Sequence, residues 1–268
     1  MSFEDGIIAQ QSNMRCIILE QFFTFSYDGP PFVLFSAIHL TSIGLVLLSC
    51  FAVVVGIRRD QSSSWMIEAV RHGLAIFSLL NLIAWQWWNY ALGIWSVAYT
   101  LPLHLCTFAN FLCAILLWSK NYRLFEVLYF WAMAGVTQAL ITPDIGRFGF
   151  PHFVFIIFFT SHGATQVAVV FMMMAYGYRP HWSSVVRATM ATLGLLVIAG
   201  VANWLTGGNY MFVARTPEFS SLIDHLGPWP WYILSMIGLG IVAFIIVYLP
   251  FALRDWYVSA RRRASVQV

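Results

Sequence analysis

Residues 153–174 read FVFIIFFTSHGATQVAVVFMMM. They contain no Asp, Glu, Lys or Arg, and their length is about that of an α-helix crossing the hydrocarbon core of a bilayer. The apolar run is continuous, whereas a barrel strand alternates apolar and polar positions, so the stretch predicts a membrane helix. Inside it sits His162, with Gln166 one turn further along the same face. A second apolar stretch, LPLHLCTFANFLCAILLW at 101–118, carries Cys106. Ionisable groups are costly in hydrocarbon, so they face a bundle interior or a wet cavity and often mark function. A thiol and an imidazole are also the minimum set for nucleophilic acyl chemistry.

The rest of the chain reads the same way. Of its 268 residues 60% are hydrophobic and 9% are charged, where a soluble domain carries about a quarter charged residues. Helices and closed barrels are the structures that satisfy their backbone in lipid, so the expected fold is an all-α, polytopic bundle. Seven candidate spans fall at 32–57, 73–97, 101–119, 124–142, 152–176, 184–206 and 229–253. Eleven of the fourteen Lys and Arg residues lie in the connections on one side, including Arg261 to Arg263 in a basic tail at 254–268. Arg15, Arg147 and Arg215 lie on the other. The positive-inside rule then puts the N-terminus outside and the C-terminus in the cytoplasm.

The segment 1–31 is an outer N-terminal piece with an apolar patch, IILEQFFTF, expected to lie on the membrane or cap the bundle. Its first residues, MSFEDG, are acidic, and no cleavable signal peptide is read there. Residues 32–253 form the seven-helix transmembrane domain. Within it, the long outer connection 207–228 is rich in aromatic and aliphatic residues and reads as a packed lid. The net charge of +3 comes mostly from the tail, and no basic stripe for nucleic acid is present. The four cysteines, Cys16, Cys50, Cys106 and Cys113, have neither CxxC nor zinc spacing, so neither a disulfide framework nor a metal site is expected.

The topology assigns a depth to each polar residue. His39, Gln86, Asn89, His104, Cys106, Asn110, Gln138, Thr142 and Asn203 fall in the outer and middle parts of their spans, and His162 and Gln166 fall mid-membrane. This one-sided set points to a cavity open toward the outer leaflet or outer water. The plainer alternative is scattered interhelical hydrogen bonds. In the third span, Cys106, Asn110 and Cys113 share a face, and His104 points about 200° away from Cys106. Thr100 is a plausible N-cap and Pro102 suits a first turn, which would leave Cys106 beyond the reach of the helix dipole. Cys106 then needs a base from another helix, for which His162 is the natural candidate. Cys113 reads as structural, His104 as a head-group or orienting residue, and Glu126 as the partner of Arg123. A retinal pigment is excluded, because its Schiff base needs a lysine in the last span and Lys120 is the sole lysine.

The segments LPLHLC (101–106), LYFWAMAGVTQALITPD (128–144), FPHFVFIIFFTSHG (150–163), YGYRP (176–180), NWLTGGNYMFV (203–213) and LGPWPWY (226–232) resemble, in that order, the YwaF family of bacterial integral membrane proteins. That family is similar to vertebrate transmembrane protein 164. The resemblance implies a multi-pass protein of the bacterial cell membrane and a phospholipid acyltransferase that moves acyl chains between phospholipids and lysophospholipids. Its cysteine and histidine pair falls on Cys106 and His162, and the chemistry passes through a thioester without cofactor or metal. Asn110, Gln138, Gln166 and Asn203, with His104, are the candidates for substrate or oxyanion contacts. Hydrolysis at the same site, and a transporter or lipid-binding protein without catalysis, are the rival expectations.

Overall fold

The computed structural model describes residues 21–59, 64–217 and 222–266. Among these residues there are seven long helices: α1 Ala37–Arg59, α2 Ser64–Ala91, α3 Leu105–Ser119, α4 Tyr122–Ile141, α5 Phe153–Tyr176, α6 Trp182–Thr206 and α7 Trp231–Val266. Six are long and apolar enough to cross a membrane, and α3, with 15 residues, is the short one. The seven expected spans therefore correspond one to one with seven helices in an all-helical membrane protein.

α5 is the centre. Buried residues make up 61% of its most apolar stretch, against 6% for α1 and 11% for α7. α1, α2, α3 and α4 pack around it, while α6 joins the outer side of α4 and α7 packs on α6 and α4. Two glycines permit close approach. A Cβ on Gly163 of α5 would lie 2.8 Å from Val46 of α1, and one on Gly135 of α4 would lie 2.9 Å from Leu105 of α3. Small residues at contact points are how helices in lipid gain packing when water offers no driving force.

Three boundaries depart from expectation. α2 begins at Ser64 and ends at Ala91, where a span over 73–97 was expected. α7 runs on through the basic tail to Val266, because no glycine or proline breaks the segment 251–266. Pro250 lies inside that helix and cannot donate to the carbonyl of Ile246. The Tyr129 hydroxyl donates to the neighbouring Val247 carbonyl at 2.9 Å.

α3 starts at Leu105 with His104 as its N-cap, and Thr100 does not cap it. The cause is tertiary. The Thr100 carbonyl accepts from Gln86 at 2.8 Å, and its hydroxyl oxygen accepts from the Ser96 amide at 3.1 Å. The Leu101 amide donates to the Tyr210 hydroxyl at 3.0 Å. Groups that would have opened a helix at residue 100 are held elsewhere. α4 carries a π-helical turn at Trp131–Val136, the kind of irregularity frequently found at functional sites.

The arginine-rich ends are tied by ion pairs. Glu68 holds Arg71 and, at 2.8 Å, Lys120, and the Tyr176 hydroxyl donates to it at 2.9 Å. Glu68 in turn holds the Lys120 ammonium above its usual pKa. Arg71 reaches the last carbonyls of α3, those of Leu117 and Trp118, where a helix C-terminus favours a cation. Glu126 does not pair with Arg123. It is buried and takes Arg187 of α6 at 2.6 Å together with the Ser184 hydroxyl. Reaching across to α6 satisfies a carboxylate that points into the bundle, which the surface-facing Arg123 does not do.

Candidate active site

The shortened α3 changes the setting of Cys106. The residue is N2 of the helix, inside the first turn, whereas the sequence placed it beyond that turn. The first intrahelical bond is Phe108 N–H to the His104 carbonyl at 2.9 Å. The His104 side chain makes no cap. Among the described residues no acceptor bonds the amides of Leu105, Cys106 and Thr107. Free amides and the positive end of the macrodipole favour negative charge at such a terminus. Cys106 is half-buried and packs against the apolar cluster that includes Trp88, Val136, Phe153 and Phe159.

His162 is half-buried on α5. Its Nδ1 is 2.7 Å from the Phe158 carbonyl, and its ring stacks on Phe158 at 4.0 Å between centroids. A carbonyl accepts, so Nδ1 carries the proton of the neutral ring and Nε2 keeps the lone pair. This is the tautomer a general base requires, fixed by the helix's own backbone. Among the described residues, no hydrogen bond joins Cys106 to His162 or to any other group.

The amide side chains are already engaged. Asn203 accepts from the Tyr210 amide at 2.6 Å and donates to the Tyr210 carbonyl at 3.0 Å, so it anchors the loop after α6. Gln138 is exposed and donates to Thr142 at 2.9 Å. Gln166 donates to Thr137 at 2.7 Å, across to α4. Asn110 donates to the Ser78 carbonyl at 3.1 Å, and its Oδ1 is buried without a partner. Cys113 is buried beside Thr165 of α5, whose hydroxyl donates to the Ser161 carbonyl at 3.0 Å.

His104 turns away from Cys106, toward the loop after α6, with its ring against Tyr210 and Phe212. Its Nδ1 faces the Met211 amide at 3.4 Å. Met211 and Phe212 are both left-handed, with φ of 53° and 56°. Tyr210 is fully buried and bridges this loop to the α2–α3 connection through Val97 and Leu101. The described residues of the N-terminal segment close the same end, with Phe23 accepting from Trp88 and Thr24 bonded to His152.

The residues expected to line a polar cavity are for the most part bonded to the protein itself. His39, fully buried, bonds the Leu140 carbonyl at 2.9 Å, and Gln86 and Asn89 bond Thr100 and Trp85. An apolar cleft of about 690 Å³ lies between α1, α2 and α5, lined by neither Cys106 nor His162. No three His, Cys, Asp or Glu side chains among the described residues converge as a metal site.

The sequence reading missed Phe158, Thr137 and the π-turn beside α3. The i−4 spacing of Phe158 from His162 was the one available signal for the first. The remaining two depend on contacts between helices.

Residues 34–248 match the family model described as the TMEM164 family, in agreement with the resemblance carried by the ordered segments. No curated protein and no solved structure matches the chain.

Proposed function

This chain belongs to the TMEM164 family, and on that premise we propose that it is a membrane acyltransferase of phospholipids and lysophospholipids, with Cys106 as nucleophile and His162 as base. The observation that carries the reading is the position of Cys106 in the first turn of α3, where the leading amides have no acceptor among the described residues. Register supports the partner. α3 and α5, one helix apart in the chain, run in the same direction. Cys113 meets Thr165, so seven residues earlier Cys106 is level with Phe158, where the His162 ring is stacked.

In the proposed reaction, Nε2 of His162 takes the thiol proton, and the thiolate attacks the carbonyl carbon of an acyl ester. The amides of Cys106 and Thr107 receive the developing oxyanion, a task for which Asn110, Gln138, Gln166 and Asn203 are less available. The alcohol leaves with the proton from His162, and a thioester remains on Cys106. A lysophospholipid hydroxyl gives its proton to His162, attacks the thioester and releases the thiolate. Water in place of the lysophospholipid gives hydrolysis. The proposed setting is the bacterial cell membrane, with the N-terminus outside and the arginine-rich ends in the cytoplasm.

Intact-protein mass spectrometry after incubation with a defined phospholipid tests this. An acyl-sized, hydroxylamine-labile adduct present in wild type and Cys113→Ala, and absent in Cys106→Ala, is the expected result. A second reading, a lipid-binding or transport protein without catalysis, draws on the missing hydrogen bond between Cys106 and His162. It predicts no adduct from folded protein and full tolerance of Cys106→Ser.

A further inference from the structure

The cleft between α1, α2 and α5 is a site of its own. α1 makes its main contact with α5, and α2 makes its main contacts with α3 and α5, so the two helices form walls over a floor of α5. From Ala37 to Ser49 along α1 the cleft runs twelve residues, roughly 18 Å at the helical rise. That length is close to one leaflet, half of a hydrocarbon core of about 30 Å. A smaller cleft of about 250 Å³, lined by Ala52, Gly56, Met66 and Phe171, continues it toward the other face.

The chemistry of the lining specifies an apolar occupant. Thr41, Ser42 and Ser49 each donate to a carbonyl of their own helix at 2.7–2.9 Å, and Thr160 donates to Asn81 at 2.6 Å. Four hydroxyls line the cleft, and none has a proton left for a ligand. At the mouth stands Phe150. Three residues before it in the same loop, Arg147 is exposed, with its guanidinium over the rings of Phe25 and Phe148 and one of its N–H groups donating to the Phe25 carbonyl. An apolar slot about one leaflet long, beneath a loop that carries a cation, matches a chain attached to a phosphate.

We infer that this cleft binds a phospholipid of the leaflet at the N-terminal end of α1, one acyl chain lying along α1 and α5 and the phosphate on Arg147. Neither Cys106 nor His162 is among the residues that line it. Its occupant is a bound lipid beside the chemistry proposed for Cys106, and the inference does not depend on that chemistry.

The test is photolabelling in phosphatidylcholine vesicles doped with a phosphatidylcholine that carries a diazirine on one acyl chain, with labelled peptides read by mass spectrometry. Labels are expected to concentrate in residues 37–49 and 155–167. Ser42→Trp, which fills the cleft, reduces them at least fivefold, and Leu48→Trp, on the exposed side of α1, leaves them unchanged. Arg147→Gln weakens labelling by the phospholipid roughly fivefold, the effect of one cation near a lipid phosphate, and spares labelling by a diazirine fatty-acid methyl ester. In Cys106→Ala the labelling stays as in wild type. Labels spread over all lipid-facing residues and indifferent to Ser42→Trp overturn the site. Equal loss of both probes in Arg147→Gln, at unchanged thermal stability, overturns the phosphate contact. Loss in Cys106→Ala overturns the independence of the two sites.

Discussion

At the residue scale, the two side chains that carry the proposed chemistry have unequal support from their surroundings. Cys106 gains from a helix end, and His162 from a single carbonyl. Removing the base while keeping the thiol separates their contributions. His162→Ala is expected to slow formation of the Cys106 adduct by about 10²–10⁴-fold, the range for a positioned general base, without changing which residue is acylated. Single-turnover mass spectrometry measures both. Cys106 and His162 stand out in the sequence because a thiol and an imidazole contrast with apolar neighbours. The roles of Asn203 and Gln138 were not legible. An amide in a span has the same spacing whether it faces a substrate, as expected, or holds a loop, as Asn203 holds Tyr210.

At the element scale, the outcome turns on where α3 begins. Propensity favoured a start near Thr100, and bonds from Gln86 and Tyr210 moved it to Leu105. Those partners lie 14 and 109 residues away, outside the reach of any local rule. The π-turn of α4 was equally hidden, because it expresses a fit to α3 and α5 and has no sequence period of its own. Its Gly135 faces the flexible end of Leu105, the residue before Cys106. Gly135→Ala is therefore expected to be tolerated, with Leu105 rotating aside. Gly135→Val overfills the contact, at a cost of about 1–3 kcal/mol. Thermal unfolding of the purified variants, read beside adduct yield, checks this. The valine variant should lose adduct out of proportion to its stability, because the displaced atoms lead the helix that carries Cys106.

At the scale of the whole molecule, the seven-helix count was legible because continuous apolar runs have one solution in lipid. The arrangement around α5 was not, since several helices are apolar all round and hydropathy does not say which is central. The arginine-rich side shows the same limit. Spacing along α4 favoured Arg123 for Glu126, and the partner is on α6. Arg187→Gln leaves a buried carboxylate with the Ser184 hydroxyl as its remaining partner. The expected loss is about 1–3 kcal/mol, discounted because Arg187 is itself partly exposed. Arg123→Gln should be near neutral. Unfolding midpoints of the two variants in one detergent decide between the pairings.

The fifteen residues of α3 span about 22 Å, several ångströms less than a typical bilayer core. A short helix beside longer ones draws the surrounding membrane thin on its own flank, at a fraction of a kcal/mol for each ångström of mismatch. Ester groups there sink toward the level of Cys106. The protein is then a gauge of membrane thickness. In vesicles of phosphatidylcholines with progressively longer chains, adduct formation at Cys106 should fall steadily while thermal stability changes little. An unchanged rate across that series would mean that the substrate ester reaches the thiol by another route.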